Sequence, residues 1–199
     1  MSYKPYQNLK SYQQAQIIYD FTVEFTKRYI KSLRTKEQMD QAARSGEQNI
    51  AEGSEISQVS KKSEIKLLGV SRGSLEELLN DYKAYLRQNK LNLWPMESQE
   101  ARQVRALVYE PIGNHKNPYS NMSSYASYES YLTSAENAAN AMVCLINQTN
   151  MLLDKQIASR KADFLEKGGF SESLYKDRAA AREKQMHQLD DDRFVPRNR

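Results

Sequence analysis

Apolar residues recur every three or four positions along four long stretches of the chain. This spacing places them on one side of an α-helix, so each stretch is predicted to be a helix with one buried face. The predicted helices cover about residues 11–33, 36–53, 60–89 and 124–167. Because each needs a partner for its apolar face, they predict an all-α fold: an antiparallel up-down four-helix bundle over residues 1–167. The third stripe is the most regular, with Ile65, Leu68, Arg72, Leu75, Leu79, Tyr82 and Leu86.

Local signals mark the ends of the predicted helices. Thr35 and Gln38 have the spacing of a capping box, which predicts that the second helix begins there. Gly168 and Gly169 are expected to end the fourth helix. Residues 168–199 then form a suffix, with a further short helix and a charged tail, DDDRFVPRNR, that we expect to be disordered.

Two glycines, Gly46 and Gly53, interrupt the second predicted helix, although an interior glycine costs roughly 1 kcal/mol relative to alanine. Gly46 falls on the apolar stripe, where a small residue lets a neighbouring helix come close. Gly53 is predicted to end the helix in the left-handed conformation. Glu52 and Arg72 are predicted to form a buried ion pair across the hairpin. In the alternative, Arg72 extends to solvent along its aliphatic stem.

Residues 91–130 connect the third and fourth predicted helices. They contain a short amphipathic helix around Ala101 and Val104, followed by a turn-rich loop over 111–121. The tyrosines near the end of this connection can stack on nucleic-acid bases or, as we favour, pack in a seam between copies of the chain. They are Tyr119, Tyr125, Tyr128 and Tyr131. The alanine-rich segment SAENAANAM also offers flat faces for contact between copies.

The composition limits the class of protein. Hydrophobic residues make up 39% of the 199 residues, and there are only 7 Gly and 5 Pro, as in a mostly helical domain. We expect no membrane insertion, because no apolar stretch reaches the length of a membrane span and the first residues lack the core of a signal peptide. The single cysteine, Cys144, has no disulfide partner, which fits the reducing cytoplasm.

Motifs for catalysis are absent from the sequence. Neither His115 nor His187 has a glutamate three residues before it, so the Glu-x-x-His pairs of di-iron bundles are missing. The chain also lacks a phosphate-binding loop, a nucleophile elbow and a C-x-x-C pair. We therefore predict a protein that is not an enzyme and that holds no metal and no cofactor.

Basic residues are the strongest candidate for a binding surface. The net charge is +4, and residues 27–36 carry five positive charges and no acid. Three lysines open the third helix, on the same side of the molecule if helices two and three are antiparallel and equally long. Such residues neutralise phosphates, although cations near a helix C-terminus also complement its dipole. The candidate residues are Lys27, Arg28, Lys31, Arg34, Lys36, Lys61, Lys62 and Lys66.

Two motifs on consecutive predicted helices resemble a known family. QNIAEGS at 48–54 and SRGSLEELLNDY at 71–82 are similar to the paired signature of the bacterial four-helix bundle proteins encoded in intervening sequences of large-subunit ribosomal RNA genes. They are also similar to the accessory variability determinant proteins of diversity-generating retroelements. KGGFSESLYKDRAAARE resembles the C-terminal suffix of one subgroup. The matching motif residues include Asn49, Glu52, Gly53, Arg72, Gly73 and Ser74.

The resemblance implies a homopentamer, binding of DNA or RNA, and a reverse transcriptase or other protein as partner. With the basic run, it predicts a non-enzymatic oligomeric adapter that binds nucleic acid through a basic surface. The alternative is a structural or protein-interaction module that binds no nucleic acid.

Overall fold

The computed structural model describes the chain over residues 5–107 and 127–193, and this part is helical without strands. A 3₁₀ turn at Pro5–Asn8 precedes the first α-helix, and another at Ser130–Thr133 precedes the longest one. The α-helices are α1 (Lys10–Tyr29), α2 (Leu33–Ile56), α3 (Lys61–Gln88), α4 (Gln99–Ala106), α5 (Ala135–Lys167) and α6 (Phe170–Arg193). The predicted all-α class is confirmed.

Serine side chains cap the starts of several helices, and the cap of α2 differs from the predicted one. Ser32 caps α2 by accepting a hydrogen bond from the Thr35 backbone N–H, so the predicted cap at Thr35 is wrong by one turn. Because Ile30 and Ser32 are extended, α1 ends at Tyr29, short of the predicted Leu33. Ser60 caps α3, whose predicted bounds are correct within one residue.

The fourth predicted helix begins later than expected. Ser134 is extended and its side chain accepts from the Asn137 N–H, so α5 starts at Ala135 instead of 124. Residues 127–129 are also helical, but the 3₁₀ turn at Ser130–Thr133 and extended Ser134 separate them from α5. Its end at Lys167 is as predicted, because Gly168 has φ +70°, a conformation that suits glycine. The expected short suffix helix is 24 residues long and includes residues 190–193, which were predicted to be disordered.

Gly46 and Gly53 both lie inside α2, where it contacts α3. A Cβ atom on Gly46 would lie 2.6 Å from the Leu75 side chain, and one on Gly53 would lie 3.4 Å from Leu67 Cβ. The prediction that Gly53 ends the helix is therefore wrong: Gly53 is buried and α2 continues to Ile56. Gly46 therefore allows the close approach of α3, whereas a Cβ atom on Gly53 would make an ordinary packing contact.

Four helices share the main core. Helix α2 packs against α1 and α3, and α5 packs against α3 and α1. In each pair, residue numbers fall along one helix as they rise along the other. Two contacts establish this for each pair: Ser11–Gln156 and Gln14–Thr149 for α1 with α5, and Thr26–Asp40 and Tyr12–Glu47 for α1 with α2. They are Ser45–Ser74 and Gly46–Ser71 for α2 with α3, and Glu64–Arg160 and Arg72–Asp154 for α3 with α5.

Buried polar side chains are paired across the core. Thr22 and Tyr82 share a hydrogen bond of 3.0 Å between α1 and α3, and Thr149 donates to Gln14 between α5 and α1. Ser71 donates to the Gly46 carbonyl at 2.6 Å. Buried polar groups are costly without partners, so these bonds favour one longitudinal alignment of the helices.

Two predicted contacts between copies are made within the chain instead. Ala138, Ala139 and Ala141 are fully buried in the core, so the alanine-rich segment is not a surface for other copies. Tyr128 is also buried, and the Tyr131 ring meets Trp94 edge-on at 6.4 Å. Tyr128 is therefore unavailable for stacking on bases or for a seam between copies, whereas Tyr131 is half-buried.

Some predictions fall outside the described residues: Tyr119, Tyr125, His115, the loop over 111–121 and the tail beyond residue 193.

The predicted short amphipathic helix corresponds to α4, which buries Ala101 and Val104. Among the described helices, none has the length and apolar character needed to cross a membrane.

Candidate nucleic-acid interface

The basic run occupies the corner where α1 ends and α2 begins. Lys27 and Arg28 lie in the last turn of α1, Lys31 lies in the connection, and Arg34 and Lys36 lie in the first turns of α2. All but the half-buried Lys36 are exposed. The corner therefore presents five cations within about three helical turns.

Glu24 partly neutralises one side of this corner. Lys27 Nζ lies 2.7 Å from Glu24 Oε1, and Arg28 Nη2 lies 3.9 Å from Oε2. The hydrogen bond from Lys27, with the charges of Lys27, Arg28 and Lys36, holds the pKa of Glu24 below its usual range. Lys31 and Arg34 make no ion pair within the described part of the chain.

Arg28 also has a structural contact. Its Nη1 donates to the Leu132 carbonyl at 3.4 Å, beside a shorter bond of 2.6 Å from the Tyr29 hydroxyl to the same oxygen. These bonds hold the end of α1 against the 3₁₀ turn before α5. Arg28 is thus less suited than Lys31 to a test of surface charge.

Helix stability explains only part of the basic run. Lys27 and Arg28 complement the negative end of the α1 dipole, as the alternative interpretation requires. Arg34 and Lys36 lie instead at the positive end of α2, whose first turn contains no acid. Cations are unfavourable there. The dipole therefore does not account for these two residues.

The second basic group lies at the other end of the molecule. Lys61, Lys62 and Lys66 open α3, next to the C-terminal end of α2. Helix α2 has 24 residues, so it separates the two groups by about 36 Å. The expectation that they share one side is wrong, because an antiparallel hairpin places the starts of its two helices at opposite ends.

An ion-pair network surrounds the second basic group. Buried Glu64 lies 2.9 Å from Arg160 Nε on α5, and Asp163 contacts both Arg160 and Lys167. Burial raises the pKa of Glu64, while Arg160 and Lys61 oppose that rise. Lys61 therefore faces acids of its own chain, whereas Lys62 and Lys66 are exposed.

The predicted Glu52–Arg72 pair does not form. Arg72 instead contacts Glu76 at 2.7 Å on its own helix and Asp154 at 3.2 Å on α5, while Glu52 is exposed on α2. The reason is the direction of each face of α3: Ser71 points toward α2, and the next residue is turned about 100° toward α5. The alternative prediction, in which Arg72 extends to solvent, does not include the contact between Arg72 and Asp154 either.

The other motif residues divide between packing and exposure. Asn49 donates to the Ser45 carbonyl within α2, and Ser74 shares a hydrogen bond of 3.0 Å with Ser45 across the hairpin. Gly73 is exposed, and a Cβ atom added there would meet nothing within 4 Å. Of these residues, Ser74 and Gly53 lie at the contact between α2 and α3, whereas Arg72 links α3 to α5.

A polar groove of about 780 Å³ runs between α2 and α3 beyond the serine pair. Ala42, Ser45 and Ser74 contribute small side chains to its lining. Glu37, Glu77 and Asp81 are acidic, whereas Arg34 is the one lining cation. Burial and the nearby Glu77 raise the pKa of Asp81. Sequence inspection missed this groove, because its two walls are about 40 residues apart in the chain.

Among the described residues, no group of three or more His, Cys, Asp or Glu side chains is placed to hold a metal ion. Half-buried Cys144 has a pKa raised by burial, which lowers its thiolate fraction.

Comparisons with protein-family models, curated proteins and solved structures found no match.

Proposed function

We propose that this chain is a non-enzymatic, self-associating cytoplasmic adapter that binds DNA or RNA through the basic corner between α1 and α2. Its fold in this proposal is an antiparallel up-down four-helix bundle of α1, α2, α3 and α5, followed by the α6 suffix. The opposed numbering of contacts between neighbouring helices supports that topology. The resemblance to the ribosomal-RNA intervening-sequence proteins supports the homopentamer and a reverse transcriptase or other protein partner.

The placement of Arg34 carries the nucleic-acid proposal. It is exposed at the N-terminal end of α2, where the dipole disfavours a cation, and it makes no ion pair within the described residues. Lys31 lies beside it and is also exposed. Phosphate groups offer such cations a partner whose binding depends little on sequence.

The test replaces Lys31 and Arg34 by Gln and measures binding to short single- and double-stranded DNA and RNA by fluorescence anisotropy at two salt concentrations. We expect weaker binding to all four probes and a salt dependence that falls by about one unit of slope per lost phosphate contact. The fold is expected to persist, since surface substitutions usually change stability by no more than about 0.5 kcal/mol.

The control variant is Lys62→Gln/Lys66→Gln, which removes the same charge from the opposite end. Binding reduced equally by both variants would mean that only net charge matters. A loss confined to the control would move the site to the start of α3. Absence of binding by the wild-type chain at low salt would contradict the proposal and favour the protein-interaction module.

A further inference from the structure

Helix α6 buries none of its side chains over residues 170–186, where the structure describes them. Every side chain from Phe170 to Met186 is exposed, including apolar Leu174 and Tyr175. Most of the stability of a helix in a protein comes from packing one of its faces and not from helix propensity. A surface that covers one face of α6 would therefore stabilise it.

The outward face of α3 has an unusual sequence. Gly69 and Gly73 are exposed in the middle of this helix, and a Cβ atom on either would meet nothing within 4 Å. Unlike Gly46, they are not needed for packing in this chain, yet each lowers the stability of the helix. Glu77 and Asp81 continue the same stripe at intervals of four residues and line the polar groove between α2 and α3.

The exposed face of α6 has a matching stripe at the same interval. Phe170 and Leu174 are followed by Arg178 and Arg182. Placed parallel to α3, this stripe sets two large apolar side chains over two glycines, and two arginines beside Glu77 and Asp81. Both stripes advance about 6 Å per step, so all four pairs align together.

We propose that α6 of one copy docks on the outer face of α3 of a second copy. The pairs in this register are Phe170 with Gly69, Leu174 with Gly73, Arg178 with Glu77, and Arg182 with Asp81. The contact is heterologous, so repeated copies close into a ring when the rotation allows. The inference rests on the self-association in the proposed function and assigns a surface to it.

The chain's own α6 cannot reach this register. The Glu64–Arg160 pair sets the level of α5 against α3, and α5 continues seven residues further, away from Gly69. Phe170 would have to move back about 18 Å along α3. The link from Lys167 to Phe170 spans at most about 11 Å. A second copy is therefore required.

Charge reversal in the full-length chain tests the arginine pairs. Arg178→Glu/Arg182→Glu and Glu77→Arg/Asp81→Arg should each raise the dissociation constant for self-association by at least about tenfold, since like charges are then opposed. The variant with all four changes should recover most of the affinity. Sedimentation velocity over a range of concentrations gives these constants.

Outcomes of this experiment separate the two proposals. A wild-type chain that stays at 23.0 kDa at all concentrations contradicts both self-association and this interface. A wild-type oligomer that neither charge reversal weakens leaves self-association standing and overturns the α6–α3 contact. Reversals that weaken association without recovery in the fourfold variant also overturn the pairing.

Cysteine cross-linking tests whether α6 of a second copy occupies the outer face of α3. In a Cys144→Ser background, Gly73→Cys with Leu174→Cys should form disulfides that join successive copies, which gives a ladder of multiples of the chain mass on a non-reducing gel. Lys62→Cys with Leu174→Cys, about 16 Å further along α3, is the control and should react more slowly. A disulfide formed only within single chains would contradict docking on a second copy.

Discussion

The four glycines of the α2–α3 hairpin have two different roles. Gly46 and Gly53 face α3 inside the chain, and the missing side chain of Gly46 lets the two helices approach closely. Gly69 and Gly73 face outward and have no such contact. Internal packing accounts for Gly46 in α2, and the proposed contact with α6 of a second copy would account for the outward glycines on α3.

Gly46→Ala should lower the free energy of unfolding by about 1–3 kcal/mol, because the new Cβ would overlap the fully buried Leu75 side chain. Gly53→Ala is the matched control in the same helix. Its Cβ would meet Leu67 at an ordinary 3.4 Å, so the gain in helix propensity should leave stability unchanged or slightly raised. Urea unfolding measures both, and equal effects would contradict the packing assignment.

Ion pairs and hydrogen bonds between helices set how α3 lies against α5. Arg72 bridges Glu76 and Asp154, and Asn150 on α5 donates to the same Glu76 oxygen. These side chains are partly exposed, so each contact is individually weak. Together with the ion pair between buried Glu64 and partly exposed Arg160, they favour one register for the two helices.

A double-mutant cycle between Arg72→Met and Asp154→Asn should show a coupling energy of about 0.5–1 kcal/mol, as is typical of exposed ion pairs. The cycle with Glu52→Gln is the control, and its effects should add within about 0.5 kcal/mol because Glu52 does not contact Arg72. Unfolding in urea provides all the values. Coupling of Arg72 to Glu52 instead of Asp154 would contradict the observed contacts.

At the scale of the whole molecule, the chain consists of a packed helical body and an exposed final helix. The body has paired polar groups and a continuous apolar core, whereas α6 has no buried side chain among residues 170–186. The two basic groups lie at opposite ends of the body. Arg34 of the α1–α2 corner lines the same groove as Glu77 and Asp81, so the proposed nucleic-acid site and the proposed docking site for α6 are adjacent.

Hydrogen exchange should distinguish the body from the final helix. In dilute protein, amides of α6 should exchange much faster than those of α3, because opening α6 exposes no buried surface. Mass spectrometry of peptides from the two helices measures the difference, and α3 serves as the control within the same molecule. Equal protection of α6 at dilutions where the chain is a monomer would show that it packs on its own chain.

Helix positions were largely predictable because they depend on local chemistry. The 3-4 spacing of apolar residues determined α3 within one residue, and Gly168 correctly marked the end of α5. The start of α2 was predicted wrongly because Ser32 and Thr35 are both residue types that cap helices and lie only three positions apart. A capping serine three residues earlier prevails because its oxygen reaches the free N–H of the first turn.

The partners of individual side chains depended on tertiary structure. A stripe in the sequence shows which face of α3 is buried, but the rotation of α3 between α2 and α5 decides that Arg72 meets Asp154 and not Glu52. Gly53 looks like a helix end in sequence, yet it is buried inside α2, which continues to Ile56.

The sequence by itself determined the all-α class, the approximate helices and the presence of two basic groups. Only the tertiary structure decided that these groups lie at opposite ends, that the alanine-rich segment is buried, and that Gly69 and Gly73 face outward. The physical reason is that helix formation follows from residues within a few turns. The direction in which a side chain points follows from how distant helices pack together.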